Sequence, residues 1–365
     1  MSIRNPVSIH NSVLKKARDA VRPWLFLFWV IVLGACSKPG LQTVAISGET
    51  MGTYYRVTLA GKPQQLPAED VLTDWADDEF ARINQSMSTY IPESELSVIN
   101  RAEQDGWFDL SADLYEVLAK GQEISRASAG AFDVTVMPLV DLWGFGPGPH
   151  DYNIPDQTEI NQTLARIGYQ KLELNGELNG LKRPNGVTID LSAIAKGYGA
   201  DALGRVLQQK GFSDYLIEVG GELAASGLSA RGDAWRVGVE YPNYDASAPS
   251  ARPSARTVML TDRGMATSGD YRNYYELQGR RYSHTIDPVS GRPVTHKLAS
   301  VSVVASSAAE ADAWATALSV LGPERGYQLA ETNGLAAYFI VGQEEGFQVL
   351  ITPEFEQYLF HEAAE

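Results

Sequence analysis

The chain of 365 residues predicts an α+β fold. Three observations carry that expectation. Stretches with helical periodicity and stretches with strand-like alternation follow one another irregularly, not as repeated βα units. No internal repeat and no low-complexity tract runs through the chain. With 44% hydrophobic and 21% charged residues, the composition supports a sizeable core.

The elements follow in order. Residues 43–60 alternate like a strand pair interrupted by Gly48-Glu49-Thr50-Met51-Gly52-Thr53. Residues 68–87 have helical spacing, with Val71, Leu72, Trp75, Phe80 and Ile83 on the apolar side. A second helix starts at Ser111 as N-cap and runs to about Ser128, with Gly130 beyond its end. Residues 144–157, rich in Gly and Pro, read as a loop. Val187–Leu191 reads as a short strand that leads into a helix ending near Gln209. Tyr215–Val219, Ser300–Ala305 and residues 335–341 read as further strands. Residues 242–256 are polar, carry Pro and Ser, and read as an insertion. Asp287-Pro288-Val289-Ser290-Gly291 is a turn. After Ser307 the S-x-x-E pattern with Glu310 predicts a capping box, and Gly322-Pro323 predicts the far end of that helix.

The formal net charge is −15. Five of the basic residues, Arg4, Lys15, Lys16, Arg18 and Arg22, lie in the first 35, so the body is more acidic than the whole. Such a body repels nucleic acid and anionic lipid surfaces. A phosphate-bearing ligand would need a local cation, either a metal ion or a placed lysine. The basic N-terminal segment precedes an apolar run of 12 residues, Trp24 to Ala35. That is short for a membrane-spanning helix and suits a signal-peptide core. It ends in Leu33-Gly34-Ala35-Cys36, which resembles the lipobox of bacterial lipoproteins, with Cys36 as the lipidated residue. The alternative is a short uncleaved anchor with an incidental cysteine. Cys36 is the single cysteine, so an internal disulfide is excluded.

Three groups of residues suggest chemistry, and three further segments are weaker signals. Asp312 and Thr316 are four apart and share a helix face among small alanines, and a carboxylate with a hydroxyl suits a hard cation. The alternative is an aspartate in the first turn, placed there for the helix dipole, with Thr316 merely packed. In Asp190-Leu191-Ser192-Ala193-Ile194-Ala195-Lys196-Gly197-Tyr198-Gly199, a helix begins with a lysine in its first turns, an arrangement that holds anions. Gly197 and Gly199 are costly in a helix and point to close backbone approach; a solvent-facing lysine on a loosely packed helix is the alternative. His284, ahead of a tight turn, has the chemistry of a general base, although a lone histidine is more often structural. Ala131-Phe132-Asp133 after a helix-stopping glycine, Met87-Ser88-Thr89-Tyr90 at a helix end, and Gly264 to Asp270 as a small-residue loop are weaker signals.

Taken together, these segments resemble the ApbE family of FAD:protein FMN transferases. The resemblance runs from about Ser47 to Ile340 and includes Thr50-Met51-Gly52-Thr53, MSTYIPESELSVIN from Met87, Gly130-Ala131-Phe132-Asp133, DLSAIAKGYGAD from Asp190, and Val219-Gly220-Gly221-Glu222. It continues through Thr267-Ser268-Gly269-Asp270-Tyr271, HTIDPVSGRP from His284 and ADAWATAL from Ala311. The DLSAIAKGYGAD and HTIDPVSGRP blocks are specific. Gly199 and Ser290 stand where the family often has alanine and threonine.

The resemblance implies a T-fold-related fold of mixed sheets with packed helices, and an FAD site in a cleft between sub-domains. It implies FAD contacts at Met51, Tyr90, Ala131, Phe132, Asp133, Asp190, Lys196, Thr267 and His284. It implies Mg²⁺ held by Asp312, Thr316 and the carbonyl of Ala193, with His284, Lys196 and Asp312 serving catalysis. The implied reaction moves FMN from FAD onto a Thr or Ser hydroxyl of a target protein and releases AMP. A Mg²⁺-dependent FAD pyrophosphatase and a non-catalytic FAD carrier are the alternatives. The implied targets are subunits of membrane redox complexes of the Nqr and Rnf type. The expected organisation is a signal peptide at 1–35, a lipidated tether at 36–45 and a transferase domain at 46–355, lipid-anchored and facing the periplasm.

Overall fold

The computed structural model describes residues 40–146, 154–241, 254–269, 274–277 and 280–361. The signal segment, Cys36 and most of the expected insertion lie outside the described residues. In chain order the first elements are strands β1 (Gln42–Thr50) and β2 (Thr53–Gly61), helices α1 (Glu69–Met87) and α2 (Glu95–Arg101), strand β3 (Gly106–Asp109) and helices α3 (Ala112–Ala127), α4 (Met137–Leu142) and α5 (Gln157–Leu164). Strands β4 (Glu173–Asn175) and β5 (Gly180–Arg183) lead to α6 (Ala195–Gln209), β6 (Tyr215–Val219), β7 (Glu222–Ser226), β8 (Trp235–Glu240), β9 (Ser254–Leu260) and β10 (Arg263–Gly269). Then come β11 (Tyr274–Leu277), β12 (Arg280–Ser283), β13 (Ile286–Asp287), β14 (Arg292–Pro293), β15 (Leu298–Ala305), α7 (Ala308–Thr332), β16 (Ala336–Gly342), β17 (Phe347–Ile351) and α8 (Pro353–Glu356).

The centre is an antiparallel sheet in the order β1-β2-β6-β7-β10-β15-β16-β17. Alternation along its strands builds two faces. Ala266, Val301, Val303, Ala337 and Phe339 pack with α7 and the apolar side of α3. Met265, Val304, Ala336, Tyr338 and Ile340 face the other way, against the β8–β9 ribbon and Phe355 of α8. Farther along, Val57, Leu59, Ile217 and Val219 pack with Leu72, Phe80, Leu203 and Leu207 of α1 and α6. A smaller cluster of Leu139, Trp143, Ile160 and Ile286 joins α4 and α5 to the β13–β14 hairpin. There the Trp143 indole donates to the Gly291 carbonyl at 2.8 Å.

Most sequence expectations appear in place. Helix α1 matches, although Val71 is exposed while Leu72, Phe80 and Ile83 are buried. Ser111 caps α3 by accepting from the Leu114 amide. Four expectations are corrected. Val187–Leu191 is extended but is not a strand, because the Asn100 side chain, not a neighbouring strand, satisfies both backbone groups of Ile189, at 2.8 Å each. Gly264 to Gly269 is not a loop but most of β10, paired with β7 and β15. The tether expected through residue 45 overlaps β1, which pairs with β2 from Gln42 onward. Ser307 accepts from the Glu310 amide, but the Glu310 carboxylate turns to the Ser306 hydroxyl, so the box is only half formed. Gly322 does interrupt α7, with φ 77°, yet a second helical run follows from Pro323.

Candidate active site

Helix α7 carries the acidic side chain, and its position is set by α6. A Cβ on Gly197 would lie 2.3 Å from the Ala308 carbonyl oxygen and 2.7 Å from the Ala309 nitrogen. Only glycine lets these two helix ends approach so closely. A Cβ on Gly264 would likewise meet the Ala308 nitrogen at 2.2 Å, which explains the glycine at the second position of β10. The first amides of α7 are taken by Asp201 of α6, whose two oxygens accept from Ala308 and Ala309 at 2.9 Å each. Burial pushes the Asp201 carboxyl up to about 6, against those hydrogen bonds.

Asp312 therefore does not serve the dipole of its own helix. It is the fifth residue of α7, and it is 3% exposed. Its Oδ2 accepts from the Gly197 amide at 3.2 Å and lies 3.9 Å from the Lys196 Nζ. Lys196 is held more tightly by Glu222, with Nζ 2.6 Å from Oε1. Burial opposes the Lys196 charge, but Asp312 and Glu222 outweigh it and hold the ammonium above its usual range. Burial, then repulsion from Asp312, pushes Glu222 up to about 8 despite the pull of Lys196. Burial likewise raises the Asp312 carboxyl. Thr316 lies one helical turn beyond Asp312, with its hydroxyl 3.4 Å from that of Ser268.

Lys196 also lines a cavity of 750 Å³, within the size range of small-molecule sites. Its wall is made by the β1–β2 turn at Met51 and Gly52, the end of α1 with Asn84, the following segment with Tyr90, Ser192 ahead of α6, and Gly220. Tyr90 stands 70% exposed at this wall. Met51 adopts φ 50°, left-handed for a residue with a side chain. A Cβ on Gly199 would come within 2.7 Å of the Met51 Cε, so the glycine makes room for this methionine beneath the cavity.

Met51, Tyr90 and Lys196 thus meet at one cavity, with Asp312 close behind Lys196 and Thr316 one turn farther along α7. Asp190 lies beside it, accepting from the Ser192 amide and hydroxyl at 2.8 and 2.6 Å. Its own amide donates to the Val134 carbonyl at 2.7 Å, which brings the Ala131–Asp133 segment alongside. Ala131 and Phe132 are buried, Phe132 within the core. Asp133 spends both carboxylate oxygens on Thr135 and the Tyr169 amide. Thr267 bonds Ser302 at 2.7 Å on the sheet face opposite α7, and its neighbour Ser268 is the hydroxyl beside Thr316. His284 is half-buried ahead of the β13–β14 hairpin, its ring 6.4 Å from Phe145, and it is not among the described cavity-lining residues.

Glu222 and Ser268 sat in recognised motifs without an assigned role. Only the β6–β7 turn and the β10 register bring them to Lys196 and Thr316. Among the described residues, no group of three His, Cys, Asp or Glu side chains forms a metal cage. The oxygen set here is of another kind: the Asp312 carboxylate, the Thr316 and Ser268 hydroxyls, and the Ala193 backbone in the turn before α6. Asp312 is fully enclosed and accepts a single amide hydrogen bond, which fits a carboxylate that also serves a hard cation.

Known proteins resemble this chain in sequence and fold. A model of the ApbE family matches residues 51–339. An FAD:protein FMN transferase of Klebsiella pneumoniae (strain 342) is 38% identical over 354 residues, spanning 92% of this chain and 98% of that protein. The Escherichia coli (strain K12) protein of the same name is 37% identical over 88% of this chain and 90% of its own length. The solved structure of the flavin transferase ApbE from Vibrio cholerae superposes with TM-score 0.78 at 36% identity, covering 87% of this chain and all of that one. The apo crystal structure of the Pseudomonas stutzeri flavinyl transferase ApbE also gives 0.78, at 37% identity, over 87% of this chain and 97% of its own. A family match over residues 51–339, with relatives 37–38% identical over most of this chain, makes this chain a member of the ApbE family.

Proposed function

We propose that the chain transfers FMN from FAD to a threonine or serine hydroxyl of an acceptor protein. The observation that carries this reading is the Lys196 ammonium at the wall of a 750 Å³ cavity, fixed there by Glu222 and Asp312 behind it. The acceptor oxygen attacks the FMN phosphorus, the bond to the AMP phosphate oxygen breaks, and AMP leaves with the electron pair. Both reactants carry negative charge, so the barrier is largely electrostatic. Lys196 orients and neutralises the diphosphate, and Met51 and Tyr90 form the wall against which the flavin nucleotide lies. Asp312, Thr316 and the Ala193 carbonyl would hold Mg²⁺, which supplies Lewis-acid neutralisation of the diphosphate charge when bound. His284 takes the hydroxyl proton in this reading.

The acceptors are redox-complex subunits of the Nqr or Rnf type, and the chain is anchored through lipid on Cys36 at the periplasmic face. The test uses the chain from Ser37 onward with FAD, Mg²⁺ and an acceptor domain bearing the Asp-Gly-x-Ser/Thr-Gly-Ala-Thr motif, followed by intact mass. A metal-dependent gain of one FMN, abolished by EDTA and by Asp312→Ala, is expected. Free FMN and AMP with an unmodified acceptor would favour the pyrophosphatase, and FAD bound but unchanged would favour the carrier.

A further inference from the structure

We infer that Glu222 is a positioning residue for this transfer, holding the Lys196 ammonium at the cavity wall. The inference rests on the transfer reading above. Glu222 is 5% exposed and is not among the described residues that line the cavity, so it reaches substrate only through Lys196. One oxygen, Oε1, binds Nζ at 2.6 Å, and the other, Oε2, is buried without a hydrogen-bond partner. Leaving a buried oxygen unpaired is costly, and a buried ion pair by itself adds little stability over an apolar pair. A role in fixing the lysine accounts for a carboxylate kept under those terms.

The backbone is shaped for the same end. Gly220 and Gly221 adopt φ of 63° and 108° in succession, making the tight turn that pairs Val219 with Glu222. That turn places Glu222 at the first position of β7, beside α6. Without the Glu222 charge, Lys196 keeps Asp312, 3.9 Å away, as its remaining anion among the described residues, and swings toward it. A glutamine at 222 keeps the size of the side chain and adds no negative charge to the cluster. Binding of anionic FAD then holds or tightens, while the ammonium leaves the place where transfer needs it.

The experiment is a double-mutant cycle of Glu222→Gln and Lys196→Met. FAD affinity is read by flavin fluorescence in EDTA, and kcat and KM are read from FMN transfer to the acceptor domain with Mg²⁺. Glu222→Gln is expected to lower kcat on the order of 10²-fold, the scale for losing one preorganised electrostatic contact. FAD affinity stays equal or rises, and the double variant falls no lower than Lys196→Met alone. Wild-type kcat in Glu222→Gln, or losses that simply add in the double variant, would overturn the positioning role while leaving transfer intact. A wild type that binds FAD and transfers none would overturn the transfer reading and this role with it.

Discussion

Gly197→Ala places one methyl group between two helix backbones. The new Cβ would stand 2.3 Å from the Ala308 oxygen, 2.5 Å from its carbonyl carbon and 2.7 Å from the Ala309 nitrogen. An ordinary contact is about 3.5 Å or more, so α6 and α7 must separate by roughly 1 Å. No flexible side chain is there to give way. Overpacking of this kind costs about 1–3 kcal/mol, against a gain of about 1 kcal/mol in helix propensity. The same displacement breaks the 3.2 Å bond from the Gly197 amide to Asp312 and moves Asp312 relative to Lys196. A misplacement near 1 Å in a catalytic arrangement costs about 10²-fold in rate. Gly199→Ala, two residues along the same helix, is the internal control for stability, since its close contact at 2.7 Å is with the flexible end of Met51, and the Phe80 ring lies at an ordinary 3.7 Å. We expect Gly197→Ala to lose several degrees in Tm and about two orders of magnitude in FMN transfer. Gly199→Ala should keep its Tm. Equal behaviour of the two variants by calorimetry would refute the close-packing argument.

Removing the α7 cap with Asp201→Ala leaves the Ala308 and Ala309 amides without their acceptor, and should cost about 2–4 kcal/mol in chemical denaturation. Because Asp201 sits near 6 in the fold and near 4 when unfolded, the native state binds its proton more tightly. Its contribution to stability is therefore fully present below about pH 4 and is lost as pH rises to about 6, on the order of 2–3 kcal/mol. Tm against pH for the wild type and for Asp201→Asn should diverge in that window, and parallel curves would contradict it. Ser268→Ala should weaken metal-dependent transfer by about 10–100-fold, the range for supporting groups around a metal. Thr267→Ala on the opposite sheet face should leave transfer nearly unchanged, and the reverse order would reassign the face. Replacing His284 with Gln should slow transfer by about 10²–10⁴-fold with FAD affinity retained, as expected for a general base; an unchanged rate moves that role to another group.

Much of the fold was legible because local rules governed it. Helices α1 and α3, the β1–β2 hairpin and the start of α7 each carry their own periodicity, cap or turn. Where local rules were ambiguous, partners outside the segment decided. Val187–Leu191 has the pattern of a strand, but the Asn100 side chain holds its backbone. Gly264 to Gly269 reads as a loop until the nearness of α7 explains its small residues.

The motifs themselves named the family, the reaction class and the oxygen-donating pair Asp312 and Thr316, because residue type and spacing along one helix are properties of sequence. Which aspartate caps α7 and which is left for chemistry depended on α6 lying against it, so Asp201 took the amides and Asp312 faced Gly197 and Lys196. That Glu222 grips Lys196, and that Ser268 and not Thr267 stands beside Thr316, depended on the β6–β7 turn and the β10 register. Those partners lie 26 and 48 residues away along the chain, and only the packed sheet and helices bring them within hydrogen-bond range.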